Sequence, residues 1–179
     1  MAAAAEATAA GCERVQAAWR VLNEVLDPEV PALSVCDLGI VRGVEEAADG
    51  TLLITLTPTY SGCPATEAIE RDVLAALQSA GLGPARATLQ RAPAWSSDWI
   101  SATGREKLRA YGIAPPAHLE AMPSGVRPLH FVRQRESAPA CPHCASPRTE
   151  RLSAFGSTAC KALWRCLACR EPFEYFKPI

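Results

Sequence analysis

Apolar positions along the chain switch between two periods. From Glu13 to Leu26, Val15, Trp19, Leu22 and Leu26 recur at helical spacing, while Glu13, Arg14, Arg20 and Glu24 fall on the remaining surface. Asp27-Pro28 predicts the end of this helix, because the residue before a proline is pushed out of the helical region. The period then shortens toward two. Ile40 to Val44 is a β-branched-rich run, Asp49-Gly50 is a turn signal, and Thr51 to Thr57 places Leu52, Ile54 and Leu56 on one face, which predicts a β-hairpin. A second helix is predicted from Pro64 to Ala80, with Glu67 and Glu70 near its positive end and Ile69, Val73, Ala76, Leu77 and Ala80 as its buried stripe. Gly81 and Gly83 stop it, and Ala85 to Leu89 reads as a third strand. Helix, hairpin, helix and strand predict an α/β (α+β) fold, a small two-layer sandwich with helices on one face of a mixed sheet.

Beyond the sandwich, Ser97 is placed to cap a third helix over Asp98 to Tyr111, closed by Gly112. Trp95 and Trp99 read as core or interface packing, since no basic residues interleave with them for base stacking. Residues 113–139 hold five prolines and read as a linker, with a short strand at Leu129 to Val132. The expected organisation is an Ala-rich tail over 1–12, an α/β domain over 13–112, the linker over 113–139 and a cysteine-bearing unit over 140–179. No internal repeat is visible.

Charge sharpens that division. Residues 1–132 hold ten Lys/Arg against fifteen Asp/Glu, whereas residues 133–179 hold eight against four. The second unit therefore offers a basic face to an acidic partner, although the overall net charge of −1 makes the chain as a whole a poor electrostatic binder of nucleic acid. The first eleven residues contain Glu6 and no basic residue, unlike a secretory signal, and no apolar run reaches the ~20 residues of a membrane span. A cytoplasmic location is expected, where paired C-x-x-C motifs bind metal or do redox chemistry rather than form structural disulfides.

The strongest chemical signal lies in that C-terminal unit. Cys141-Pro142-His143-Cys144 and Cys166-Leu167-Ala168-Cys169 are two C-x-x-C knuckles separated by 21 residues. Each knuckle aims two thiolates at one point, and together they complete a tetrahedral shell at ~2.3 Å that suits zinc. A zinc ribbon is predicted, with strands drawn from Ser153 to Arg165 and from Phe173 to Phe176. Few apolar residues lie here, so bound metal must supply much of the folding energy. Iron or an iron–sulfur cluster accepts the same four thiolates and stays open as an occupant. Cys160 is either a buried small residue or an extra ligand, and His143 shapes its knuckle rather than ligating. The aromatic residues Trp164, Phe173, Tyr175 and Phe176 read as the ribbon's own core, against nucleic-acid binding.

A lone cysteine in the first domain is the second candidate. Cys63 precedes Pro64 at the mouth of the predicted second helix, where the free N–H groups are expected to lower its pKa. That environment suits a nucleophile or a soft-metal ligand; a passive capping cysteine is the alternative. Asp27, Glu29 and Asp37 lie in loops able to reach it, and Thr57 and Thr59 just precede it. Cys36 and Cys12 have no comparable context. His118, His130 and His143 all fall outside this domain, leaving no base for a Cys-His pair, and hydrolase, P-loop and dinucleotide fingerprints are missing.

Several of these motifs carry a resemblance. Asp27-Pro28-Glu29-Val30-Pro31, Val35-Cys36-Asp37-Leu38-Gly39-Ile40-Val41, Thr55-Leu56-Thr57-Pro58-Thr59 and Gly62-Cys63-Pro64 resemble the metal–sulfur cluster assembly family that includes the SufT-like proteins, over about residues 14–92. Thr57 through Glu67, Pro93 through Ser101, Lys107 through Pro116, Phe155-Gly156-Ser157-Thr158-Ala159-Cys160-Lys161 and Arg170-Glu171-Pro172-Phe173 are similar to the D-subunit family of the phenylacetyl-CoA epoxidase system. That resemblance implies an accessory protein of aerobic phenylacetate breakdown that is not itself the catalyst of the multicomponent monooxygenase. It implies maturation of a metal centre, such as the iron–sulfur cluster of the partner reductase, with Cys63 handling a transient cluster and Asp27 and Asp37 shaping its site. A lone thiolate further suggests a homodimer, or a client that supplies the remaining ligands. A structural adaptor bridging oxygenase components through the ribbon is the rival reading. The ending Lys177-Pro178-Ile179 departs from the family where a cysteine is expected at Pro178, so the four knuckle thiolates must suffice.

Overall fold

A computed structural model describes residues 13–60, 62–117 and 138–179. The Ala-rich tail, Cys12, His118, His130 and the strand expected at Leu129 to Val132 lie outside the described residues. The chain forms two compact units, Met1–Lys107 and Leu108–Ile179.

In the first unit, residues 13–22 are helical (α1), followed by β1 (Val41–Glu46), β2 (Leu52–Leu56), α2 (Thr66–Ser79) and β3 (Ala85–Leu89). The sheet order is β1-β2-β3, with β1 and β2 antiparallel and β2 and β3 parallel, so the predicted mixed sheet is present. The period-two pattern works as expected: Leu52, Ile54 and Leu56 are buried on one face of the central strand. Ile69, Val73 and Leu77 are the buried line of α2, whereas Ala80 is exposed beyond the helix end.

α1 stops earlier than its periodicity predicts. The N–H groups of Glu24 and Val25 reach back only three residues, to Val21 O and Leu22 O, so the last turn tightens. The apolar phase slips by one residue, burying Val25 and leaving Leu26 53% exposed. Arg14, which sequence reading places on the surface, pins α1 to the rest of the unit. Its guanidinium donates to Glu46 Oε1 (2.6 Å), Gly50 O (2.5 Å), Leu82 O (3.0 Å) and Gly83 O (3.1 Å).

The helix expected from Asp98 to Tyr111 is broken in two. Ser96, not Ser97, caps a 3₁₀ turn over Ser97–Trp99. Buried Ile100 is extended, and Ser101 Oγ then accepts the Gly104 N–H at 2.8 Å to open α3 (Ala102–Ala110). This stretch grips the loop before β1. Trp95 Nε1 donates to Leu38 O at 2.9 Å, Ser101 N–H to Asp37 O at 2.9 Å, and Arg42 stacks on the Trp99 ring at 3.6 Å. Gly39, at φ +67°, makes the approach possible, since a Cβ there would lie 2.7 Å from Trp99 O.

Among the described residues, the second unit holds a four-stranded sheet in the order β4-β7-β6-β5, comprising β4 (Ile113–Ala114), β5 (Thr149–Ser153), β6 (Lys161–Cys166) and β7 (Pro172–Phe176). β4 lies inside the stretch read as linker and pairs in parallel with β7; two residues are too few to show a period. A buried apolar cluster of Ala114, Cys141, Ala162, Trp164, Cys166, Phe173 and Tyr175 lies in this unit, with Leu108, Ile113 and Phe176 also buried. Trp164 and Tyr175 meet edge-on at 6.0 Å between centroids.

Candidate metal and cluster-handling sites

The two knuckles are built by chain reversals on either side of the β5–β6 hairpin. In the first, Ala145 N–H returns to Cys141 O at 2.9 Å; in the second, Cys166 N–H donates to Glu171 O at 3.0 Å. The residue after each second cysteine is left-handed, Ala145 at φ 58° and Arg170 at φ 67°, a conformation that neither side chain advertises. The reversals bring the Sγ atoms of Cys141, Cys144, Cys166 and Cys169 within 4.8 Å of one another. Cys141 and Cys169 sulfurs are 3.7 Å apart, and those of Cys144 and Cys166 3.6 Å.

Those separations fit a metal. A tetrahedron of sulfurs at ~2.3 Å from a central ion has edges of about 3.8 Å, whereas a disulfide would need ~2.05 Å. Backbone donors are aimed at the sulfurs: Ala168 and Cys169 N–H point at Cys166 Sγ at 3.3 and 3.5 Å. Of these the Cys169 N–H pulls hardest, burial opposes it, and Ala168 adds to the pull, leaving the Cys166 thiol at about 6. Burial pushes Cys141 up instead, with the N–H groups of Cys144 and His143 working against it. His143 is exposed, with its ring over Gly112, where a Cβ would lie 3.1 Å from its Cε1.

Cys160 is not part of this cluster. It is buried, with its sulfur 3.0 Å from Thr158 Oγ1.

In the first unit, α2 begins at Thr66 with Ala65 as its N-cap, so Cys63 sits outside the helix rather than at its mouth. Thr66 Oγ1 donates to Cys63 O at 2.9 Å and Cys63 N–H to Tyr60 O at 3.1 Å, which fixes the turn. The thiol borders a small apolar pocket, about 10 Å³ or one water, with Ile40, Leu56, Ile69 and Leu89 among its walls. Its pKa is raised, contrary to the sequence expectation. Desolvation is the main cause, and the carboxylates of Glu29 and Asp27 add to it; the Ala65 N–H and the Thr59 hydroxyl pull the other way.

The structure thus brings Asp27, Glu29 and Thr59 to bear on Cys63. Asp27 Oδ1 also accepts the N–H groups of Glu29 and Val30 at 2.9 and 2.8 Å, which shapes the turn that carries it. Thr57 is buried, and its Oγ1 has no hydrogen-bond partner among the described residues. Asp37 is engaged elsewhere: its carboxylate receives Ser34 N–H (3.1 Å), Ser101 Oγ (3.2 Å) and Lys107 Nζ (2.6 Å). Ser101 and Lys107 lie 64 and 70 residues away in sequence, so no local pattern announces them.

The chain is 46% identical to a protein described as the D-subunit of 1,2-phenylacetyl-CoA epoxidase from Escherichia coli, over 93% of this chain and 94% of that one. Residues 126–177 match the PaaD zinc beta ribbon domain. The chain belongs to the PaaD family. Its first unit carries an iron–sulfur cluster assembly protein domain, matched over residues 15–88. Over 83 residues the PaaD chain is 37% identical to an Fe-S protein maturation auxiliary factor of Porphyromonas gingivalis, covering 46% of this chain and 78% of the other. A crystal structure of a domain of unknown function (DUF59) from Bacillus anthracis shares the fold, with a TM-score of 0.53 at 24% identity, covering 56% of this chain and 96% of that one. The PaaD ribbon match contains all four knuckle cysteines, and the assembly-domain match contains Cys63, Asp27, Asp37 and Thr57. Among the described residues, no helix is long and apolar enough to cross a membrane.

Proposed function

We propose that this protein is a cytoplasmic accessory factor that matures an iron or iron–sulfur centre for a phenylacetyl-CoA epoxidase, with Cys63 as the cargo-handling thiol. The observation that supports this most is the surroundings of Cys63. A thiol at a small apolar pocket, touched by one hydroxyl and one backbone N–H and overlooked by two carboxylates, keeps its proton until a soft cation displaces it. A single exchangeable sulfur holds cargo weakly, which suits transfer and calls for further ligands from the client or a second copy. Thr57, whose buried hydroxyl has no partner among the described residues, and Asp27 are proposed as supporting residues, while the Asp37 carboxylate is engaged by Ser34, Ser101 and Lys107. The relatives' descriptions as an epoxidase subunit and an Fe-S maturation factor agree with this reading.

In the same reading the ribbon over residues 140–179 holds structural zinc through Cys141, Cys144, Cys166 and Cys169, and docks the client, with the iron–sulfur reductase component as the first candidate. When bound, zinc ties the two knuckles together and adds to what the buried apolar residues of this unit supply.

Anaerobic reconstitution with iron and sulfide tests the proposal on wild type and Cys63→Ser. Wild type is expected to take up labile iron and to raise the iron content of the apo-reductase, while Cys63→Ser does neither and keeps its zinc. Equal iron uptake and equal maturation by Cys63→Ser would rule the role out and leave the adaptor reading.

A further inference from the structure

The loop between β5 and β6, residues 154–160, is built more firmly than an idle connection requires. Phe155 N–H donates to Ser153 Oγ at 3.1 Å, Gly156 N–H to Lys161 O at 2.8 Å, and Ser157 N–H to Glu174 Oε1 at 2.5 Å. Behind the loop, Lys161, only 3% exposed, pairs with Glu174 at 2.8 Å. A buried lysine is uncommon and its ion pair is a costly device for stability alone; fixing one conformation is its best-attested use. Gly156 lets the loop close on the pair, for a Cβ there would lie 2.6 Å from Glu174 Oε1.

What this framework presents to solvent is Phe155, 63% exposed. Lys177 Nζ lies 4.7 Å from its ring centroid and donates to Ala154 O at 3.3 Å, so ring and ammonium are held together. Leu152, also exposed, lies next to the end of β5, the strand that feeds the loop. Residues 151–161 contain no Asp or Glu, and the acid that does reach the loop, Glu174, is engaged by Lys161 and Ser157.

We propose that the Phe155 loop is a preformed docking knob for a protein partner whose surface offers an apolar pocket rimmed by carboxylates. The aromatic ring is the anchor, Lys177 answers the acidic rim, and the fixed loop avoids an ordering cost on binding. Nucleic acid is the poorer match, since one aromatic is no platform for successive bases. The proposal rests on the reading that epoxidase components are the clients, and it specifies which surface meets them.

Binding of the full-length protein to each purified epoxidase component and to the reductase, by interferometry at two salt concentrations, tests it. Phe155→Ala is expected to weaken binding to one component about tenfold or more, with Phe155→Leu close to wild type. Lys177→Glu should weaken the same interaction about tenfold and flatten its salt dependence. Zinc content and far-UV circular dichroism, unchanged in all three variants, guard against misfolding. Unchanged affinity of folded Phe155→Ala overturns the proposal, as does failure of wild type to bind any component. A photo-crosslinker at position 155 that captures only a second copy of the chain, or an oligonucleotide, overturns it too. Maturation is judged separately: Cys63→Ser should dock normally and carry no iron, whereas Phe155→Ala should carry iron and dock with the weakened affinity given above.

Discussion

The carboxylate of Asp37 shows how a single side chain can join two stretches of chain. It accepts from Ser34, Ser101 and Lys107 while its own N–H donates to Ser34 Oγ at 3.0 Å. Burial opposes its ionisation, but the Lys107 ammonium and the Ser34 N–H outweigh that and hold its pKa below the ordinary value. A depressed folded pKa contributes stability that is present above the unfolded value of 3.8 and is lost as pH falls through the folded one. Asp37→Asn is therefore expected to cost about 1–2 kcal/mol at pH 7. In urea titrations the difference from wild type should shrink as pH drops below 4. A difference independent of pH would mean that geometry, and not charge, holds the latch.

At the level of elements, the strap over residues 95–107 depends on a close backbone approach. Gly39→Ala would force a left-handed alanine against Trp99 O at 2.7 Å. A loss of about 2 kcal/mol or more is expected in the urea midpoint, because strain of about 1–2 kcal/mol is joined by overpacking. A near-neutral result would show that the strap yields. The elements legible in the sequence are those whose information is local. β2 alternates over five residues, β3 has the expected bounds, and the C-x-x-C pairs carry their own chemistry. Features that depend on distant partners were opaque: the phase slip that buries Val25, the break at Ile100, and β4, which is a strand only because β7 is beside it. The Cys63 loop is legible by residue type, and so is the reach of Asp27 and Glu29 toward it, but its electrostatics invert because burial, the main cause of the raised pKa, does not show in the sequence. Ala145 and Arg170 conceal their turns because glycine is the usual sign of a left-handed residue.

For the molecule as a whole, the two units draw on different sources of stability. The first buries a conventional apolar core that includes Leu22, Leu33, Val35, Leu52 and Leu77, and none of the four clustered cysteines belongs to it. Excess chelator at neutral pH should abolish amide protection in β5, β6 and β7 of the full-length protein and leave β1–β3 protected. Retention of ribbon protection after metal analysis reads zero would show that its small core suffices. The Arg14 staple adds a constraint of another kind, on the order of events during synthesis. Its acceptors lie 32, 36, 68 and 69 residues downstream, so a chain leaving the ribosome can begin the staple once Gly50 has emerged but completes it only when Gly83 has followed. Until then the helix that carries Ala18 and Leu22, both fully buried in the finished fold, is held by half of its staple, and the strap over residues 95–107 closes on the unit later still.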